Sequence, residues 1–162
     1  MKLTKPMTRP GFERLAAEHD QMRNVERPKV LKGIQIAAAE GDRSENAEYI
    51  YGRKKLREMD KRLRYLNGIL KDVQIIDVEN LRGDRVVFAS TVVVEDEDGN
   101  TRRHTIVGEG EAEHSAGQIS WKSPVARALL GKQVGDVVLA KRPAGEMELT
   151  IVDLFFGERR YK

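Results

Sequence analysis

The sequence predicts an α+β fold, an N-terminal antiparallel α-helical coiled-coil hairpin followed by a small α+β domain. Three observations lead there. Apolar residues in the first half recur in heptads, the apolar period falls to two after Asn80, and turn signals separate the segments. Of 162 residues, 40% are hydrophobic and 34% charged, against about 45–50% and about 25% in a typical globular chain. So thin a core for the length suits a solvated, elongated element.

The hairpin is assigned to residues 1–80, with its tip at 41–45. From Tyr49 onward, Tyr49, Leu56, Leu63 and Leu70 form one heptad row, and Gly52, Met59, Leu66 and Val73 form the other. That is an a/d seam, made for a partner helix. The partner lies upstream, where Phe12, Leu15, His19 and Met22, then Val30, Ile34 and Ala37, keep 3/4 spacing. Positions 22, 26 and 30 make a stutter in the heptads, and Pro28 beside it is read as a kink rather than a break. Folding back at 41–44 opposes Ile34 to Gly52, Val30 to Leu56, Met22 to Leu63 and Phe12 to Val73. Thr8 is the expected cap of the first helix, with Pro10 in its first turn. Gly41 is expected to end that helix in a left-handed C′ position, and Ser44 to cap the second. Arms of about 30 residues at about 1.5 Å each project roughly 45 Å.

Residues 81–162 form the second domain. RVVFASTVVVED and TRRHTIVG are strands on either side of an EDGN turn. QISWK is a third strand. SPVARALLG is a complete short helix, with Ser123 as N-cap, Pro124 at N1 and Gly131 as C′. DVVLAKR and EMELTIVDLFF flank a PAG turn and make the last hairpin.

Composition removes several function classes. The chain has no cysteine, so disulfide scaffolds, thiolate zinc sites and thiol catalysis are excluded. No apolar run approaches a signal-peptide h-region or the roughly 20 residues of a membrane span, so a soluble cytoplasmic protein with no membrane partner is expected. The net charge of +3 is carried by the first half, +4 over residues 1–80 against −1 over 81–162. That field is weaker than a free nucleic-acid binder usually shows.

Candidate chemistry gathers at the hairpin tip. Asp42 and Glu45 are three residues apart around the expected start of the second helix, with Arg43 between them. The helix dipole and the arginine favour their ionised forms, so both could converge on one cation. Simple dipole complementation is the plain structural reading of the same pair. Two carboxylates alone hold Mg²⁺ poorly, because that ion commonly combines one or two carboxylates with phosphate oxygens and water. They would make a half-site, completed only by a partner, and the isolated chain is expected to be inactive.

RKKLREMDKRLR (53–64) carries seven basic and two acidic residues. Arg53, Lys54, Arg57, Lys61 and Arg64 fall largely off the seam. The run is either a solvated coiled-coil face or a strip that holds nucleic-acid phosphates without reading sequence. His19 sits on the seam as a packed residue, while His104 and His114 lack metal-ligand spacing. Ser44, Ser115 and Ser123 lack a nucleophile-elbow context. Gly108-Glu109-Gly110 lacks the context of a dinucleotide loop, and Trp121 is read as packing the sheet. The seam is satisfied within the chain, so a monomer is expected.

GDRSENAEYIYGRKKLREMDKRLRYL (41–66), together with SPVARALLGKQVGD (123–136) and PAGE (143–146), strongly resembles the bacterial Gre transcript-cleavage factors. Arg43 and the basic run after it are similar to the GreB branch, and Glu48 stands where that branch often carries aspartate. The resemblance covers essentially the whole chain. It implies an FKBP-like fold for the second domain, docked at the secondary-channel rim of bacterial RNA polymerase through Ser123, Pro124 and Arg127. It also implies that the coiled coil enters the channel. There Asp42 and Glu45, supported by Ser44, would help hold a Mg²⁺ ion of the polymerase active site and promote cleavage of backtracked RNA. Arg53, Lys54 and Arg57 would contact the backtracked RNA 3′ segment. The chain would thus be an activating factor without a self-contained active site. Alternatives are a Gre-like inhibitor that occupies the channel without cleavage, a peptidyl-prolyl isomerase, and a coiled-coil adaptor.

Overall fold

The structure is a computed structural model that describes residues 2–41 and 46–161. Contacts divide the chain into two compact units, Glu13–Lys71 and Met1–Phe12 together with Asp72–Lys162.

The first unit is the helical hairpin. Helix α1 (Arg9–Gln21), a π-helical segment (Met22–Glu26) and α2 (Arg27–Ala39) run on without a break, and α3 (Ala47–Leu70) returns beside α2. The π segment is how the stutter before Pro28 is absorbed. The Arg27 N–H donates to the Met22 carbonyl five residues back. A widened turn there eases the clash of the proline ring with the carbonyl four residues earlier. Leu15, Ala37, Met59, Leu63 and Leu66 are buried along the seam. The opposition of Ile34 and Gly52 is as expected, since a Cβ on Gly52 would lie 2.7 Å from Ile34 Cγ1.

Two bidentate ion pairs cross the hairpin on either side of the π segment. Arg62 holds Glu18 at 2.6 and 3.0 Å, and Arg27 holds Asp60 at 2.8 and 3.3 Å. These guanidinium hydrogen bonds, followed in each case by an opposing desolvation effect, hold both carboxylates below their ordinary pKa.

The second unit is built on a curled mixed sheet. Strands β3 (Thr91–Glu95), β4 (Thr101–Val107), β5 (Gln118–Ser120), β6 (Val137–Arg142) and β7 (Gly145–Phe156) lie in the order β5-β4-β3-β7-β6. The register of β3 against β7 shifts between Val93 and Val94, which pair with Asp153 and Ile151 and leave Val152 as the extra residue of a bulge. Helix α4 (Pro124–Leu129) buries Ala126 and Leu129 in a core with Val92, Ile106, Ile151 and Leu154. Both expected hairpins and the short helix are present. Ser123 accepts from the Ala126 N–H at 3.3 Å, and Gly131 has φ +84°.

By contacts, residues 1–12 and 72–80 group with the sheet unit rather than with the hairpin. Strand β1 (Pro6–Thr8) pairs in parallel with β2 (Gln74–Ile76), and this joins both flanks of the hairpin to the sheet unit. Phe12 and Val73 belong to the sheet unit. Three expectations are corrected. The strand expected from Arg85 begins only at Thr91, because Ala89 adopts φ +73° and the Ser90 hydroxyl binds the Val87 backbone. A short strand β8 (Arg159–Arg160) on β7 was not foreseen. Gly41 has a positive φ of 147° at the end of α2, outside the left-handed α region of a C′ cap.

Candidate functional site: the hairpin turn and its basic flank

Asp42, Arg43, Ser44 and Glu45 lie outside the described residues, which define the neck of the turn that carries them. Asn46, rather than Ser44, caps α3. Its side-chain oxygen accepts from the Tyr49 N–H at 3.1 Å, and its amide nitrogen donates to the Ala37 carbonyl at 2.7 Å. One side chain thus satisfies an orphan donor at the start of α3 and adds a second donor to the Ala37 carbonyl, which also accepts from the Glu40 N–H at 3.2 Å. The helix starts at Ala47, two residues later than Ser44 would place it. Asn46 was not singled out from the sequence, although an Asn three residues before the first bonded N–H is a recognisable cap signal.

The basic flank is where the heptads place it. Arg53, Lys54, Arg57, Lys61 and Arg64 are all exposed on α3. Arg53 is drawn back over its own helix, donating to the Tyr49 hydroxyl at 3.1 Å with its guanidinium 5.9 Å from that ring's centroid. Lys54 and Arg57 make no hydrogen bond or ion pair among the described residues, so their charges face water. Such a strip supplies sequence-independent attraction for phosphates.

In the sheet unit, Ser123 is committed to capping α4, while Pro124 and Arg127 are exposed on its outer side. His19 packs on the hairpin and contacts Asp20 at 3.2 Å. His104 is held below its ordinary pKa, first by burial and then by the charge of Arg102. Among the described residues no group of three or more His, Asp or Glu side chains could hold a metal ion, and no helix is long and apolar enough to cross a membrane.

Sequence reading also missed Glu111, which is 2% exposed. Its carboxylate accepts from the backbone N–H groups of Thr8 (2.9 Å) and Gly108 (2.7 Å), and from the Thr8 hydroxyl. Thr8 in turn accepts from the Gly11 N–H at 3.2 Å, which is the expected cap of α1. Gly11 and Gly108 leave no room for a Cβ beside this carboxylate.

Residues 5–75 match the family described as "Transcription elongation factor, N-terminal", and residues 81–154 match "Transcription elongation factor, GreA/GreB, C-term". The chain is 44% identical over 151 residues to transcription elongation factor GreB of Pseudomonas aeruginosa, covering 93% of this chain and 90% of that one. It is also 44% identical over 154 residues to transcription elongation factor GreA of Anaeromyxobacter, covering 94% and 93%. A solved structure, the GreA factor homolog 1 protein of Thermus thermophilus, is 26% identical with a TM-score of 0.43, covering 93% of this chain and 97% of that one.

Proposed function

The chain belongs to the GreA/GreB family of transcription elongation factors, and from that premise we propose that it stimulates RNA cleavage by bacterial RNA polymerase in backtracked complexes. The observation that carries this reading is the hairpin turn. In sequence Asp42 and Glu45 fall between α2 and α3, Asn46 ties the start of α3 to the Ala37 carbonyl of α2, and an exposed basic strip follows on α3. In this reading the hairpin enters the secondary channel, and Pro124, Arg127 and the α4 start at Ser123 dock at its rim. Once inside, Lys54 and Arg57, with Arg53, hold phosphates of the backtracked RNA 3′ segment.

The donor set at the tip fits Mg²⁺ as a shared site. Two hard carboxylates suit the ion, and their number leaves positions for polymerase ligands, phosphate oxygens and water. Magnesium held jointly there would polarise the scissile phosphodiester and favour ionisation of the attacking water. The chain's own part is to bring Asp42 and Glu45 to the polymerase centre in ionised form, with Ser44 beside them. The chain then acts as an activator, with the hydrolytic centre belonging to the polymerase.

Adding the protein to a stalled, backtracked elongation complex tests this reading. Release of 3′ RNA fragments should accelerate over polymerase alone, and the chain should leave the same RNA intact when polymerase is omitted. Cleavage of free RNA, or no acceleration in the complex, contradicts it.

A further inference from the structure

The sheet unit carries a cluster of cationic and hydrogen-bond-donating side chains that the elongation-factor reading does not use. Strand β4 is paired with β3 from Thr101 to Thr105, but on its other side β5 pairs only with Thr105, Ile106 and Val107. Residues 101–104 therefore form an open edge. A groove of about 400 Å³ lies at this edge, lined by Arg102, Arg103, His104, His114, Ser115 and Gln118 together with Gly117 and Ile119. Among the described residues no carboxylate lines it.

The polar groups of this groove have few partners. Arg103 stacks on Phe155 with its guanidinium 4.6 Å from the ring centroid. A cation–π contact of that kind orients the group while leaving its N–H donors open. The side chains of Arg102, His104, His114 and Ser115 make no hydrogen bond or ion pair among the described residues. Gln118 uses its oxygen to accept from the Glu113 N–H at 3.0 Å, which leaves its amide group as a donor. His104 is held below its ordinary pKa first by burial and then by the charge of Arg102. The nearby carboxylate of Asp96 is occupied by the backbone N–H groups of Asp98 and Asn100 at 2.9 and 3.0 Å.

Donors in excess of acceptors, gathered in a concave site, call for a ligand with several anionic oxygens. Guanidinium forks match phosphate oxygens in particular. The volume lies within the roughly 300–1,000 Å³ of small-ligand sites and exceeds that of a lone anion. We propose that the groove at the open edge of β4 binds phosphate groups of a nucleotide or of a nucleic-acid strand, with Arg102, Arg103 and His114 as the principal donors. This site is separate in sequence from the tip and the α3 strip, and it stands whether or not the cleavage reading does.

Titrating the full-length protein with inorganic pyrophosphate, ATP and a short single-stranded RNA, followed by NMR, tests the proposal. Saturable shifts are expected at residues 102–104 and 114–118. Arg102→Ala/His114→Ala should weaken binding by about tenfold or more, while Lys54→Ala/Arg57→Ala leaves pyrophosphate binding at this groove unchanged. Pyrophosphate and ATP binding at least as tightly as the RNA would identify a free nucleotide as the ligand. RNA that shifts residues 102–104 and 114–118 of the Lys54→Ala/Arg57→Ala variant at much lower concentration than pyrophosphate does, with a steep salt dependence, would identify a strand backbone. Shifts that fail to saturate, that spread evenly over basic surfaces, or that persist in Arg102→Ala/His114→Ala would overturn it.

Discussion

Replacing Glu111 with alanine should loosen the point where residues near the start of α1 are tied to the sheet unit, at a cost that follows from its bonds. The carboxylate is 2% exposed and takes two backbone N–H groups, at 2.9 and 2.7 Å, besides the Thr8 hydroxyl. Hydrogen bonds to a charged group contribute about 1.5–3 kcal/mol each, and a buried donor left without an acceptor costs about 1–3 kcal/mol. Two orphaned amides and a small cavity thus amount to about 3–5 kcal/mol, a large share of the roughly 5–15 kcal/mol typical of a domain. Glu111→Gln should cost much less, about 1–2 kcal/mol. Its one oxygen can take the place that accepts both backbone N–H groups, with its amide nitrogen turned toward the Thr8 hydroxyl. Urea unfolding followed by fluorescence of Trp121, in the sheet unit, measures both. An Ala variant within about 1 kcal/mol of wild type, or a Gln variant as unstable as the Ala variant, would refute the reasoning.

Further tests address the hairpin. An alanine in place of glycine normally stabilises a helix by about 1 kcal/mol, but Gly52→Ala should gain none of it, because its Cβ would press on Ile34 Cγ1. The gain should return in an Ile34→Ala background, as read by thermal melting of the helical signal. Asn46→Ala should destabilise the hairpin by about 1–2 kcal/mol. Asn46→Asp should recover the N-cap share but not the bond to the Ala37 carbonyl, and circular dichroism melts separate the two. Lowered pKa values for Glu18 and Asp60 mean that the unfolded chain binds protons more readily than the folded one. Their contribution is complete above the ordinary values of 4.5 and 3.8 and is lost as pH falls through the lower folded values. Hairpin stability should therefore drop below about pH 4.5, and Arg62→Gln/Arg27→Gln should flatten that drop.

Patterns local in sequence were the legible ones. Heptads space the seam residues so regularly that the facing of Ile34 and Gly52 follows from residue spacing alone. The α4 caps were readable because Ser123, Pro124 and Gly131 each have one usual place in a short helix. Ser44 and Asn46 are both good cap residues two positions apart, and it is Asn46 whose side chain accepts the Tyr49 N–H at the helix start. Strands β1, β2 and β8 have three, three and two residues, too few for a period to show. The β1–β2 pair joins positions 68 residues apart, such as Pro6 and Gln74. Glu111 stayed hidden because its main partner Thr8 is 103 residues away, so nothing in its neighbourhood marks it as buried. At the tip, spacing selected Asp42 and Glu45, but a half-site takes its meaning from a partner, and resemblance supplied the partner that geometry within one chain cannot.

The central claim is that the tip carboxylates act in chemistry while binding resides elsewhere. Asp42→Asn/Glu45→Gln keeps the shape of both side chains and removes their charge. In a backtracked elongation complex, this variant should still compete with wild type for the polymerase yet fail to accelerate release of the 3′ RNA fragment. Cleavage at the wild-type rate by the double variant would contradict the account.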